Sequence, residues 1–279
     1  MANFFMRFPG GVPRALTLSY DDGVEQDIRL AAILDRHGLK CTFNLNSGLY
    51  APEGTVYPAG QIHRRMTQAQ ATALLAGSGH EVAVHGLTHP FLEQLPGAAA
   101  AYEVLRDREN LETQFGGIVR GMAYPYGTTS DSLAATLGSL GIAYARTTRA
   151  TERFDLPTDW LRLNPTCHHN CPRLMDLAEA FLAPVGDRGP RLFYLWGHSY
   201  EFEADDNWSV IEAFAARMGG RADVWYATNI QVYDYVTAFG QLVASADGRR
   251  VHNPTATTLY ALFDGRPLTL DPGRTVALG

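Results

Sequence analysis

Asp21 and Asp22 stand side by side at the end of the apolar run Ala15-Leu16-Thr17-Leu18-Ser19-Tyr20, with Gly23 immediately after. Two carboxylates at the exit of a buried strand need a partner, because desolvated charge is costly unless it is paired, ligated or protonated. A second polar group follows another strand-like run: His85 and His89 come just after His80-Glu81-Val82-Ala83-Val84. Imidazoles four residues apart can face one ion from a single turn of helix or a tight loop. One Asp and two His make a three-ligand set with an open coordination position, the pattern of catalytic zinc. Read singly, Asp21-Asp22-Gly23 serves equally well as a helix-capping turn and the histidine pair as structural polar groups. Their joint occurrence at strand ends, where parallel α/β folds carry their chemistry, points to a metal.

The elements that must position these groups are legible as an alternation. From Arg14 onward, short β-rich runs alternate with helical patterns, which predicts βα units on a parallel sheet or barrel. A helix is expected over residues 26–37, ending at Gly38, and a strand over 40–45. Thr67-Gln68-Ala69-Gln70 reads as a capping box opening a helix through Leu75, followed by a strand over 80–84. A long alanine-rich helix over 96–115 leads to a strand at Gly121–Tyr124, broken by Pro125. Ser130 caps the next helix, and a strand follows over 142–146. Later units pair a strand at 160–163 with a helix at 173–182, a strand at 191–196 with a helix at 207–218, and a strand at 223–226 with a helix at 230–244. After Gly248 the pattern turns β-like and turn-punctuated, so residues 1–247 are read as the main domain and 248–279 as a small β appendage packed on it.

With 279 residues, 46% of them hydrophobic, the chain can bury one large core. A net charge of −6, without a Lys/Arg run interleaved with aromatics, argues against a nucleic-acid partner. No segment reaches the length of a membrane span, and Met1 to Gly11 lacks the basic start and long apolar core of a secretion signal. A cytoplasmic location is therefore expected, or a secreted one if a leader has been trimmed away. Three cysteines fit a reducing compartment better than a disulfide framework. A homo-oligomer is left open.

Three further clusters end expected strands: Ala123-Tyr124-Pro125-Tyr126-Gly127, Thr158-Asp159-Trp160 and Leu195-Trp196-Gly197-His198-Ser199-Tyr200. Together with Asp21-Asp22-Gly23 and His85-Gly86-Leu87-Thr88-His89, in this order, they make the chain resemble the polysaccharide deacetylases, the NodB-homology enzymes of carbohydrate esterase family 4. Those enzymes carry a Thr-Phe-Asp-Asp-Gly-like segment, a His-x-x-x-His segment, an Arg-x-Pro-Tyr/Trp segment, an Asp-Trp segment and a late Leu-x-x-His segment. The resemblance covers residues 14–236. It implies an α/β fold, a distorted (β/α)7 barrel, with a divalent metal at the C-terminal mouth of the strands. Zinc is the expected ion, with Co2+, Ni2+ or Mn2+ as alternatives. By the same resemblance Asp22, His85 and His89 hold the ion, Asp21 is the catalytic base, His198 is the catalytic acid, and the backbone N–H of Tyr126 stabilises the oxyanion. Pro125, Trp160, His169 and Tyr200 are expected to line the carbohydrate substrate.

One departure matters. The family's Arg, which holds the catalytic Asp, falls at Ala123, leaving Arg146 or Arg162 to reach the same space from a neighbouring strand end. Cys167-His168-His169-Asn170-Cys171 offers four soft or borderline ligands, but so short a stretch cannot easily wrap a tetrahedron, and it reads as a loop at the barrel mouth. His37, His63, His80 and His252 carry no motif and read as surface or structural. The expected function is metal-dependent hydrolysis of an amide, N-deacetylation of an N-acetylated sugar. The alternatives are hydrolysis of a non-acetyl amide (an N-formyl sugar, a cyclic amide or imide) on the same site, and a catalytically silent carbohydrate-binding protein.

Overall fold

The computed structural model describes residues 3–186 and 189–278. Its first half runs β1 (Phe4–Arg7), β2 (Arg14–Asp21), α1 (Gln26–Arg36), β3 (Cys41–Leu45), α2 (Gln68–Leu75), β4 (Glu81–Val84), α3 (Gly97–Phe115), β5 (Gly121–Ala123), α4 (Asp131–Ser139) and β6 (Tyr144–Arg146). The second half runs β7 (Cys167–His168), α5 (Leu174–Leu182), β8 (Arg191–Gly197), α6 (Ser199–Ala204), α7 (Trp208–Met218), β9 (Val224–Tyr226) and α8 (Asn229–Gly240). Five short strands close the chain: β10 (Val243–Ala244), β11 (Arg250–His252), β12 (Leu259–Phe263), β13 (Arg266–Leu270) and β14 (Thr275–Ala277).

The main sheet has the order β6-β5-β4-β3-β2-β8-β7 and every pairing in it is parallel. One flank of β2 is shared, with β9 along Arg14–Leu16 and β3 along Leu18–Asp21. All eight residues of β2 are buried, as expected of a central parallel strand covered on both faces. The sheet curls into the distorted (β/α)7 barrel expected from the sequence. The largest core cluster joins Leu16, Leu18, Phe43, Val84 and Met122 of the strands to Leu30, Val104, Leu137 and Phe214 of the helices. Local signals act as the sequence predicts. The Thr67 hydroxyl accepts from the Gln70 N–H while the Gln70 side chain accepts from the Thr67 N–H, the reciprocal capping box.

Tertiary structure overrides the sequence pattern in three places. Residues 160–163, expected as a strand, form a single 3-10 turn at Trp160–Arg162, and only Leu163 bridges to Arg146. Residues 199–204, unassigned in the sequence, form α6, because Glu201 reaches back to the His198 N–H as a cap. Finally, Phe4–Arg7 becomes β1 and pairs with β12, so the N-terminus belongs to the same three-stranded sheet as the tail, β1-β12-β13. Met6, Phe8, Leu259, Ala261 and Leu270 bury together there with Ala15, Leu192 and Tyr235.

Candidate active site

Register brings the chemistry to one level. Asp21 pairs with Asn44, Leu45 with Val84 just before His85, Ala123 with Arg146, and Tyr20 with Gly197 just before His198. Parallel strands in step therefore deliver Asp21, Asp22, His85, Arg146 and His198 to the same C-terminal rim, as barrel enzymes do. Backbone strain collects there too: Asp22 (φ +85°), His89 (φ +56°) and Tyr126 (φ +60°) all sit in the left-handed region, a conformation that non-glycine residues hold only where surroundings enforce it.

Asp22, His85 and His89 each offer a ligand atom, and these atoms lie within 4.8 Å of one another. The His85 Nδ1 lies 2.9 Å from the Ala123 carbonyl, which can only accept, so the proton is on Nδ1. The lone pair of Nε2 then points, buried and without a hydrogen-bond partner among the described residues, towards two carboxylates at 3.8 and 3.9 Å. A lone pair facing anions is repulsive unless a cation lies between them, and an imidazole that donates its other N–H to a carbonyl is the usual metal-ligand arrangement. Burial pushes the His85 imidazole down, and burial with its neighbour His85 pushes His89 down to about 4, so both are neutral and able to ligate. Burial would raise Asp22, but the hydrogen bond from His63 and the charge of Arg65 outweigh it and hold the carboxylate ionised. The residues present fit a divalent cation.

Asp21 has different company. Its two oxygens both accept from the Arg146 guanidinium, and Oδ1 also accepts from Asn44 Nδ2 at 2.8 Å. Both side chains are buried, Arg146 at 1% and Asp21 at 2% exposure. Burial alone would raise the Asp21 pKa, yet Arg146 and the protonated His198 hold it below the ordinary carboxylate range. Arg146 crosses the barrel interior with its guanidinium carbon 4.5 Å from the Trp196 ring centre. Of the two arginines considered from the sequence, Arg146 is therefore the one at Asp21. Arg162 pairs with Asp131 and Asp159 at the exposed end of the 3-10 turn.

His198 lies across the site, its Nε2 3.8 Å from Asp21 Oδ2 and its Nδ1 3.3 Å from Glu201 Oε1. Burial would lower this imidazole, but Glu201 and Asp21 outweigh it and raise its pKa. Glu201 is a hub that sequence reasoning missed: His168 Nε2 and His169 Nε2 approach its Oε2 at 3.1 and 3.2 Å. His168, His198 and Glu201 are close enough to suggest a second cation site, but the hydrogen bonds argue otherwise. The Asn170 N–H donates to His168 Nδ1, so the proton of that ring is on Nε2 and is directed at Glu201. A nitrogen carrying a proton does not ligate a metal.

The remaining expected residues divide. Tyr126 is 52% exposed and stacks on Phe91 with ring centres 3.8 Å apart, next to His89. Tyr200 flanks His198 at 5.3 Å and meets His63 edge-on at 4.9 Å. Pro125 is buried below this rim, against Gly86. His169 is 1% exposed and stacks on Phe202, so it packs behind the site rather than lining a cleft. Trp160 packs edge-on against Tyr233, with the core clusters around it, instead of facing the site. His63, read as surface or structural, lies 3.3 Å from Asp22 Oδ2. No local signal marked His63 or Glu201, since each acts across the fold.

Fold and site together mark a class of protein: a parallel α/β barrel with a carboxylate and two imidazoles converging at the C-terminal mouth of its strands. A sequence model of the polysaccharide deacetylases matches residues 10–145, just under half of the chain. A chitin deacetylase from Pestalotiopsis sp is 28% identical over 131 residues, 47% of this chain and 40% of that relative, so less than half of the relative's length is matched. Among solved structures, a proposed polysaccharide deacetylase from Mycobacterium smegmatis superposes with a TM-score of 0.57 at 17% identity, covering 84% of this chain and 93% of its own. The Xyl-CE4 domain of a multidomain xylanase from the Trinervitermes trinervoides hindgut metagenome gives 0.51 at 14% identity, covering 81% and 92%.

Proposed function

We propose that the protein is a metal-dependent amide hydrolase that removes the acetyl group from an N-acetylated sugar or oligosaccharide. Asp22, His85 and His89 would hold the divalent cation, for which zinc suits the donor set. Such a cation supplies Lewis acidity, which lowers the pKa of water and polarises a carbonyl oxygen. The chain's own residues do the rest. Asp21, kept anionic and fixed by Arg146 and Asn44, accepts the proton of the attacking water. His198, with a pKa raised by Glu201 and Asp21, carries a proton on the face opposite and gives it to the departing amine. The strained Tyr126 backbone supplies an N–H to the developing oxyanion, and the Tyr126/Phe91 pair on one side with Tyr200 on the other offers apolar faces to a sugar ring.

The observation that carries this reading is the division of labour between adjacent carboxylates. Asp22 faces two neutral imidazoles, while Asp21 faces a guanidinium and a protonatable imidazole. The decisive experiment measures acetate release from N-acetylated oligosaccharides by purified protein, before and after chelation and after adding back Zn2+ or Co2+. Release that depends on the cation supports the proposal. Formate from N-formyl sugars in place of acetate would transfer the site to another amide, and glycan binding without turnover would make the protein a binding module.

A further inference from the structure

The strained backbone of Asp22 is held from outside its own strand. The segment ending the long excursion between β3 and α2 lies antiparallel along residues 22–25: Arg65 bridges to Val24, the Met66 N–H donates to the Gly23 carbonyl at 2.9 Å, and the Glu25 N–H donates to the Arg64 carbonyl at 2.8 Å. That pairing brings Arg65 directly over Asp22. Its Nη1 donates to the Asp22 carbonyl, its Nη2 to Asp22 Oδ1 at 3.2 Å, and its Nη1 also to Asn46 Oδ1 at 2.7 Å. Asn46 is 2% exposed and passes the connection on, since its Nδ2 donates to the His85 carbonyl at 2.6 Å and the Gly86 carbonyl at 2.7 Å. From the other side His63 Nε2 lies 3.3 Å from Asp22 Oδ2.

A chain of contacts thus runs Asp22, Arg65, Asn46, His85, joining the two loops that carry the converging donors. We propose that Arg65, acting through Asn46, is the positioning residue of this cation site. It holds Asp22 in its left-handed conformation and fixes its distance from the His85 turn, so the donor set stands preformed before an ion arrives. The inference rests on the reading of Asp22, His85 and His89 as ligands. Its physical warrant is the shape of the guanidinium: a planar fork can satisfy a carbonyl, a carboxylate and an amide oxygen together, whereas an ammonium is a point charge that cannot span them. The positive charge beside Oδ1 by itself opposes cation binding, so the geometric role has to be tested at constant charge.

Arg65→Lys does that. Zn2+ and Co2+ are titrated calorimetrically into the full chain, wild type and variant, with the melting temperature of the ion-free protein measured alongside. Loss of a residue that orients a ligand typically weakens metal binding about 10- to 100-fold, and that is the expected loss for Arg65→Lys in a protein that still melts cooperatively. A role in folding alone would lower the ion-free melting temperature and leave the affinity within about threefold, which would overturn the proposal. If Arg65→Lys fails to fold, Asn46→Ala reads the other half of the same connection by the same titration, with the same two outcomes. Wild-type protein that binds neither ion would instead refute the ligand assignment, and the positioning role with it.

Discussion

Replacing Arg146 by methionine separates the charge of the guanidinium from its bulk. In the wild-type protein Asp21 and Arg146 are both buried and in direct contact. Charges about 4 Å apart attract by about 4 kcal/mol at the effective dielectric of a protein interior, and removing one partner of a buried pair costs about 3–5 kcal/mol, because the other is left uncompensated. Set against a total stability of about 5–15 kcal/mol, the variant stays folded but is clearly weakened, with a melting temperature lower by about 10 °C. The pH dependence has a definite sign. Wild-type Asp21 is held below its ordinary value, so its share of stability is present above pH ~4 and is lost as pH falls through the lower folded value. Without Arg146, burial dominates and the folded pKa rises above the unfolded one. The penalty is then full at neutral pH and shrinks as pH falls through the raised value. Urea denaturation of chelated wild type and Arg146→Met at pH 7 and at pH 4.5 measures both quantities. Acetate release should fall by about 10²- to 10⁴-fold, the usual weight of a general base, whereas Arg162→Ala, on the exposed turn, should leave it unchanged. A stability gap under about 1 kcal/mol at pH 7, or one that widens towards acid, would refute the view that Arg146 neutralises Asp21.

Three further outcomes are expected. Glu201→Gln withdraws the charge that raises His198, so the alkaline limb of kcat/KM moves to lower pH; an unmoved limb would show that Glu201 does not set that proton. In His89→Ala one of the three donors is gone, so added Zn2+ no longer stabilises the protein, whereas wild type at 100 times its Kd gains about 2.7 kcal/mol; equal stabilisation by thermal melting would remove His89 from the ligand set. A Cβ added at Gly197 would lie 2.0 Å from His169 Nδ1, so Gly197→Ala displaces that ring and costs about 1–3 kcal/mol by urea denaturation; a neutral substitution would mean that the ring behind Glu201 moves freely.

Periodicity and punctuation determine much of this molecule before it folds. Alternating apolar strands and capped helices specify parallel βα units, because each pattern can bury its apolar face in only one way. Asp21-Asp22-Gly23 and the His85/His89 pair are legible because the donors that converge lie within short segments. Arg146 was one of two arginines open from the sequence, and only the curl of the sheet, which carries β6 across the interior to face β2 and β8, selects it over Arg162. Glu201, His63, Arg65 and Asn46 are invisible as motifs for the same reason: they meet their partners through strand register and loop packing, over separations that no local pattern records. Trp160 shows the converse, an aromatic beside an Asp that looks like a binding residue until the 3-10 turn lays it, half-buried, against the core. Local chemistry thus chooses which groups are present, while the register of parallel strands decides which of them meet, because side chains far apart in the chain acquire a shared dielectric and a shared charge only once the sheet has curled around them.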